Sequence, residues 1–87
     1  MKILLSKHII QDKIPLLKSH GFFITVKQIK EVITNPDHLD NESDRPKIIA
    51  SKSFDEKHIL RVVYKLENGI IKTITIYPAE KGRYYSI

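Results

Sequence analysis

Apolar and polar residues alternate most clearly in the stretch from His58 to Tyr77. Two runs, HILRVVYKL and IIKTITIY, are rich in β-branched and aromatic residues, and the short break between them contains Asn68-Gly69. Alternating runs around an Asn-Gly break predict a β-hairpin.

Two loop lengths fit this hairpin, and they differ in which side chains share a face, because neighbouring residues of a strand point to opposite faces. A two-residue Asn68-Gly69 turn would place Ile74 and Ile76 beside Arg61. A three-residue loop, Glu67-Asn68-Gly69, brings the apolar residues of both strands together, and we therefore expect it. The expected buried face is Leu60, Val62, Tyr64, Leu66, Ile70, Ile74 and Ile76, with Lys72 as an edge exception. The expected opposite face is Ile59, Arg61, Val63, Lys65, Ile71, Thr73, Thr75 and Tyr77.

The N-terminal part predicts a short edge strand, Lys2–Leu5, followed by a helix. Apolar residues between Ser6 and His20 recur at roughly helical spacing, but Pro15 cannot occupy a regular helix interior without cost. The helix either begins with Asp12 as its N-cap, with Pro15 in the first turn, or runs from Ser6 with a kink at Pro15. We favour the longer helix. Gly21 is expected to end it.

A second helix is predicted by Thr25-Val26-Lys27-Gln28, which has the form of a capping box. Apolar residues follow at helical spacing up to Ile33, and Asn35-Pro36 ends the helix. The three residues before it, Phe22, Phe23 and Ile24, are expected to pack into the core.

The region before the hairpin predicts a loop and one more strand. Residues 37–46 contain turn-forming and charged residues and are expected to be an exposed loop. Pro46 to Phe54 reads as a strand with two distinct faces, Ile48, Ala50 and Phe54 on one and Ile49, Ser51 and Ser53 on the other. The residues after Tyr77 are expected to add a short strand or to lie against the sheet.

These elements predict a single α+β domain over residues 1–87. Its order is a strand, two helices and a three-stranded antiparallel meander, with the helices packed on one face of the sheet. Hydrophobic residues make up 41% of the chain and charged residues 29%, which is typical of a globular protein. No apolar run approaches the roughly 20 residues that span a bilayer, and the first apolar run is too short for a signal peptide, so a cytoplasmic protein is expected.

Composition also narrows the chemistry. The chain has no cysteine, which excludes disulfides, thiolate metal sites and thiol nucleophiles. The four histidines lack the spacing of metal ligands, so neither a metal nor another cofactor is expected. The glycines are isolated, and no serine lies in a nucleophile motif, so nucleotide-binding and hydrolase signatures are absent.

Charge is distributed unevenly along the chain, whose formal net charge is +5. Residues 1–30 contain six lysines and one aspartate, and residues 61–87 contain five basic and two acidic residues. Residues 31–60 contain four basic and seven acidic residues. A basic surface that binds a polyanion fits this distribution, and a solvated cationic surface without a partner fits it as well.

A group of basic and aromatic residues is the main candidate for function. Arginine offers paired donors to phosphate, and tyrosine offers a stacking surface, which together suit RNA binding or cleavage. The group is Arg61, Tyr77, Lys81, Arg83, Tyr84 and Tyr85. Each member also has a structural interpretation: Arg61 could pair with a carboxylate, the tyrosines could pack, and the Lys81-Gly82-Arg83 cluster could be solvated.

Histidines are the candidates for acid–base chemistry. His8, near the start of the first helix, is a better candidate than His38 in the acidic loop, and His58 lies between these cases. A lone histidine is more often structural than catalytic.

Several short motifs resemble a family of short prokaryotic domains that is similar to the RelE, ParE and BrnT toxins of toxin–antitoxin modules. The resemblance covers nearly the whole chain. Its motifs are Ser6-Lys7-His8, His20-Gly21-Phe22, Thr25-Val26-Lys27-Gln28, Asn35-Pro36-Asp37, Ile49-Ala50-Ser51-Lys52, the run from His58 to Tyr64, Thr75-Ile76-Tyr77-Pro78, and Arg83-Tyr84.

The resemblance implies a metal-independent mRNA endoribonuclease, on or off the ribosome, that a cognate antitoxin neutralises. It implies that Arg61 binds phosphate, that Arg83 or Lys81 stabilises charge, and that Tyr84 stacks on a base. The first helix departs from the BrnT pattern, since it has Asp12, Lys13 and Pro15 where further basic residues are usual. ParE-type relatives act without nuclease chemistry. A non-catalytic RNA- or protein-binding module of the same fold is therefore the alternative.

Overall fold

The protein is a mixed α+β domain built on one five-stranded sheet. The structure, a computed structural model, describes the backbone of residues 2–84 and the side chains of residues 2–82. The strands follow the order β1-β5-β4-β3-β2; β1 is parallel to β5, and the other pairs are antiparallel. Their bounds are Lys2–Leu5 (β1), His38–Asp40 (β2), Ile48–Ser53 (β3), His58–Glu67 (β4) and Ile70–Glu80 (β5).

The helical segments between β1 and β2 cover one face of this sheet. A π-helical segment, His8–Lys13, continues into α1, Ile14–Ser19; α2 is Val26–Thr34, and α3 is Lys81–Tyr84. The main core combines buried helix residues such as Ile9 and Ile29 with Leu60, Val62 and Ile76 of the sheet. We call the side of the sheet that faces this core the helix face, and the other side the second face. None of the described helices is long and apolar enough to cross a membrane.

The first helix has the longer of the two predicted extents. The Ile14 N–H donates to the carbonyl of Ile9, five residues earlier, as in a π-helix. This wider turn ends just before Pro15, where a regular α-helix would press the Gln11 carbonyl against the proline ring. A π-helical segment therefore takes the place of the predicted kink.

The first helix ends at Gly21, as predicted from the sequence. Gly21 has φ 88°, its N–H donates to the Lys18 carbonyl at 3.0 Å, and the Phe22 N–H donates to the Leu17 carbonyl at 2.8 Å. This pair of bonds is a Schellman motif, which needs a residue with positive φ.

The capping box of α2 is also present. The Gln28 N–H donates to Thr25 Oγ1 at 3.1 Å, and the Thr25 N–H donates to Gln28 Oε1 at 2.8 Å. Two backbone donors at the start of α2 are thereby satisfied.

The turn of the main hairpin is shorter than predicted. Leu66 pairs with Ile71, so that Asn68 and Gly69 alone form the turn, with φ 51° and 75°. Two consecutive positive φ values are those of a type I′ turn, whose twist matches that of the flanking strands. The predicted three-residue loop beginning at Glu67 is therefore wrong.

A β-bulge in β5 restores the apolar register that the short turn would have broken. Val63 pairs with Thr75, but its neighbour Tyr64 pairs with Thr73, which leaves Ile74 as an extra residue. One extra residue on one strand reverses the alternation of faces beyond it.

The bulge divides the predicted faces into a correct and an incorrect part. From the bulge to the open end of the hairpin, Val62 and Ile76 lie on the helix face and Arg61, Thr75 and Tyr77 on the second face, as predicted. Between the bulge and the turn the β5 assignments are reversed. Ile71 and Thr73 lie on the helix face, and Ile70 and Lys72 on the second face.

Three further features differ from the sequence prediction. His38–Asp40 forms a strand within the predicted loop and pairs with β3, so the antiparallel part of the sheet has four strands instead of three. Phe23 is 64% exposed and does not join the core, although Ile24 is buried there. The second face is also partly closed, since Ile59 and Val63 are buried on it.

Candidate functional site

Arg61 and Tyr77 form a cross-strand pair on the second face. They are directly opposite in the β4–β5 ladder, and Arg61 Cζ lies 5.6 Å from the centre of the Tyr77 ring. Both side chains are half-buried, and on the other neighbouring strand Arg61 pairs with the buried Ser51. The cation–π contact and the two flanking strands restrict the position of the guanidinium group.

Lysines extend the basic surface from Arg61 towards the turn. Lys65 and Lys72 are directly opposite on the second face, a like-charge arrangement that destabilises a sheet by itself. Glu67 lies 3.6 Å from the Lys72 ammonium group and offsets part of this repulsion. An anion bound between the two lysines would relieve it further.

The predicted site residues near the C-terminus begin where β5 ends. Lys81 is the first residue of α3, and its N–H donates to the Lys57 carbonyl at 2.9 Å. Arg83 and Tyr84 are in α3, but their side chains lie outside the described part of the chain, as does Tyr85. The structure thus fixes the start of the predicted basic cluster beside the turn that precedes β4.

His8 is separated from Arg61 by the sheet. It lies in the π-helical segment, whose Ile9 packs into the core on the helix face, whereas Arg61 points to the second face. The His8 side chain is 51% exposed, and its Nδ1 is 3.6 Å from an oxygen of Asp12. The structure therefore does not bring His8 together with the other predicted site residues.

A histidine–aspartate pair at the start of β4 is more tightly organised. His58 Nδ1 lies 2.9 Å and 3.1 Å from the two carboxylate oxygens of Asp55. The same carboxylate accepts the backbone N–H groups of Lys57 at 2.8 Å and His58 at 2.7 Å. Phe22 packs edge-on against the imidazole, with ring centres 5.0 Å apart.

The hydrogen bonds around Asp55 change its acidity. Desolvation alone would raise the pKa of this carboxyl, but the hydrogen bonds from Lys57 and His58 outweigh it and lower the pKa below its usual value. Asp55 is therefore ionised at neutral pH and acts as an acceptor only.

An open groove of about 470 Å³ lies beside this pair. It is lined by Glu56, Lys57, His58, Glu80, Lys81 and Gly82. Lys81, a residue predicted from the sequence, thus lines the same groove as His58. The sequence feature that indicates the Asp55–His58 pair is Asp55-x-x-His58 between two strands. An aspartate that begins a tight turn often accepts hydrogen bonds from the backbone N–H groups two and three residues later.

Among the residues that the structure describes, no three histidine, aspartate or glutamate side chains are grouped as metal ligands.

Comparisons with protein-family models, curated proteins and solved structures give no match to this chain.

Proposed function

We propose that this protein is a RelE-like toxin that cleaves mRNA without a metal ion. The order of a strand, two helical elements and an antiparallel set of strands supports the proposal at the level of fold. The observation that carries it is the Arg61–Tyr77 pair on the second face, since a held guanidinium beside an aromatic ring suits a phosphate and its attached base.

The proposed reaction uses the RNA itself as the nucleophile. The ribose 2′-hydroxyl attacks the adjacent phosphorus, and negative charge grows on the phosphate oxygens in the transition state. Arg61 would stabilise this charge, with Arg83 or Lys81 as a second cation and Tyr84 as a stacking residue. The Lys65–Lys72 pair extends the cationic surface for the phosphates that follow.

A non-catalytic RNA-binding module is the second candidate, and the separation of His8 from Arg61 favours it. Stacking and phosphate contacts suffice for binding single-stranded RNA without any acid–base group.

Cleavage assays with matched arginine variants separate the two candidates. We expect the wild-type protein to cleave a mixed-sequence RNA with chelator present, with ribosomes added or omitted, and to arrest bacterial growth when expressed. Arg61→Ala and Arg83→Ala should each reduce cleavage about a hundredfold or more, because each removes a donor to the developing charge. Arg45→Ala is the control, since Arg45 is exposed in the loop before β3.

Intact RNA under all these conditions would refute the nuclease. In that case, Arg61→Ala should weaken RNA binding by about 1 kcal/mol, as expected for one phosphate contact. Thermal melts of every variant show whether a loss of activity reflects a loss of folding.

RNA binding itself should depend steeply on salt. Each phosphate neutralised by a lysine or arginine releases counterions, so the affinity for single-stranded RNA should fall as salt rises. An affinity that does not change between 50 mM and 200 mM salt would argue for a protein ligand instead.

The proposal includes an inhibitory antitoxin, and the helix layer offers a groove for it. A groove of about 270 Å³ is lined by Ile14, Lys18, Phe23, Ile24 and Thr25. Phe23 is largely exposed, and residues 1–30 are strongly basic, so an acidic amphipathic segment is complementary in both respects.

A designed acidic amphipathic peptide tests this groove. Phe23→Ser should weaken its binding about tenfold or more, because burial of an aromatic side chain is lost. Leu66→Ser, at another exposed apolar position, should leave the affinity unchanged. Equal affinities for the wild type and Phe23→Ser would place the partner elsewhere.

A further inference from the structure

We propose that His38 is the general base of the RNA cleavage and acts on the 2′-hydroxyl beside the phosphate that Arg61 binds. The inference rests on the proposed function and assigns the acid–base step to a residue other than His8. Its substrate is one dinucleotide step of single-stranded RNA that crosses the strands from β2 towards β5.

Strand pairing places His38 in one row with the Arg61–Tyr77 pair. His38 of β2 is opposite Ser51 of β3, which is in turn opposite Arg61 of β4. Tyr77 of β5 continues the row. Directly opposite residues of antiparallel strands have their side chains on the same face. His38 therefore points to the second face, on the same side of the sheet as Arg61.

The neighbour of His38 confirms this orientation. Leu39 is opposite Ala50, which belongs to the main core, so Leu39 lies on the helix face. Successive residues of a strand point to opposite faces, which again places the His38 ring on the second face. The residue is exposed there, and it owes this position to a strand that the sequence predicted as a loop.

The spacing of the row fits the reacting atoms. Neighbouring strands are about 4.8 Å apart, so the backbones at His38 and Arg61 are separated by roughly 10 Å. A base and a phosphate donor on opposite sides of the reacting bond are separated by two hydrogen bonds of about 2.9 Å and an O2′–P distance of about 3 Å, together with one P–O bond. The two spans agree, and the ribose would lie over Ser51.

The side chains of the row also set the direction of the RNA. Ser51 is buried and small, so a substrate meets the imidazole on one side of it and the guanidinium on the other. The Arg61 guanidinium lies beside the Tyr77 ring, 5.6 Å from its centre. A phosphate at Arg61 thus has its 5′ ribose towards His38 and the base of its 3′ nucleotide towards Tyr77.

The groups that face His38 favour its role. From β3 it meets the uncharged Ser51, from β4 the positive Arg61, and on its own strand Asp40, two residues along the same face. Side-chain and backbone hydrogen bonds from the loop after β2, with a smaller effect of His38, lower the pKa of Asp40 to about 2. Asp40 is therefore ionised and stabilises the imidazolium that forms when His38 takes a proton.

The step can be written with all atoms and protons placed. An imidazole nitrogen of His38 takes the proton of the 2′-hydroxyl as the O2′–P bond forms and the P–O5′ bond breaks. The departing 5′ oxygen takes a proton from solvent, and His38 afterwards returns its proton to solvent. The products are a 2′,3′-cyclic phosphate and a 5′-hydroxyl, and no electron transfer or co-reactant is needed.

The chain offers two matched controls. His8→Gln removes an exposed imidazole on the helix side of the sheet. The double variant His38→Gln/Leu39→His moves the imidazole by one residue to the other face, at a position that is 46% exposed. This double variant keeps the histidine count and the edge strand and changes only the face on which the imidazole lies.

Rate measurements on these variants test the assignment. We expect His38→Gln to lower the cleavage rate by about 10² to 10⁴ and to remove the acidic limb of the pH–rate profile. The double variant should be as slow as His38→Gln, and His8→Gln should behave as wild type. Added imidazole should partly restore cleavage by His38→Ala, which a purely structural role would not allow.

The outcomes distinguish this inference from the proposed function. Cleavage by wild type with an unchanged rate and pH profile in His38→Gln, or full activity in the double variant, would overturn the assignment and leave the nuclease intact. No cleavage by wild type would refute both.

A measurement on the wild type covers the case in which the His38 variants fail to fold. An RNA with a single 2′-deoxy nucleotide at the mapped cleavage site binds without reacting. It should shift the His38 ring resonances in NMR spectra and leave those of His8 in place. Unshifted His38 resonances in the saturated complex would overturn the assignment.

Discussion

The β-bulge at Ile74 makes one residue of β5 removable. If Ile74 is deleted, Thr73 is followed directly by Thr75, and their present partners Tyr64 and Val63 are also adjacent. Every pair of the hairpin and both of its faces are therefore preserved in the deletion variant, which should fold with a regular ladder.

The expected cost follows from what Ile74 contributes. Its side chain is half-buried, which corresponds to roughly 1 kcal/mol when full burial of isoleucine contributes about 1.5–3 kcal/mol. Its carbonyl accepts a hydrogen bond from Ser6 Oγ at 3.3 Å, which contributes about 1 kcal/mol. A loss of about 2 kcal/mol should lower the melting temperature by roughly 8–16 °C in a domain of this size.

Deletion of Val63 from β4 is the contrasting control. β4 pairs with both β3 and β5, so the deletion would shift one half of the strand by one residue and turn Arg61 towards the apolar core. Circular dichroism melts should show cooperative unfolding for the Ile74 deletion and none for the Val63 deletion. A cooperatively folded Val63 deletion, or an unfolded Ile74 deletion, would refute this account of the register.

Two further predictions concern the turn and acid stability. Gly69→Ala should destabilise the domain by about 1 kcal/mol in chemical denaturation, because Gly69 has φ 75°, where a side chain is unfavourable. A new Cβ at this position would meet only open space, so the cost is purely conformational. Gly82 does not have a positive φ, and Gly82→Ala should show no such loss. Hydrogen bonds from the Ser43 side chain and from the backbone N–H groups of Ser43 and Glu42 lower the pKa of Asp40 from 3.8 to about 2. The Asp40 carboxylate therefore stabilises the fold above pH 3.8, and this stabilisation is lost as the pH falls towards 2. Asp40→Asn should therefore flatten the decline in stability between pH 4 and 2, and an unchanged decline would contradict the assignment.

Features set by neighbouring residues were predictable from the sequence. The capping box of Thr25 and Gln28 and the helix end at Gly21 depend on contacts within five residues, and both are confirmed. Alternation along β4 and β5 also placed Arg61 and Tyr77 on one face correctly. The shared face of Arg61 and Tyr77 thus followed from matching the apolar residues of the two strands.

Features set by distant residues were not predictable. Asn-Gly favours a two-residue turn, whereas placing the apolar residues of both strands on one face requires one extra residue in the hairpin. Ile74 is that extra residue, and nothing in the neighbouring sequence identifies it. His38–Asp40 is a strand only because β3 supplies its hydrogen bonds, although its own residues suit a loop.

Thr73 gives a final test of the corrected register. Its side chain, predicted on the second face, lies on the helix face and is only 3% exposed. Its Oγ1 is buried and has no hydrogen-bond partner among the residues that the structure describes. Burial of an unsatisfied hydroxyl costs about 1–3 kcal/mol, and valine has nearly the same shape without the polar atom. We therefore expect Thr73→Val to raise the free energy of unfolding by about 1 kcal/mol, measured by urea denaturation. Thr75→Val, half-buried on the second face, should change it by less than about 0.5 kcal/mol. Destabilisation by Thr73→Val would mean that the hydroxyl is hydrogen-bonded in solution, and stabilisation at Thr75 alone would restore the register predicted from the sequence.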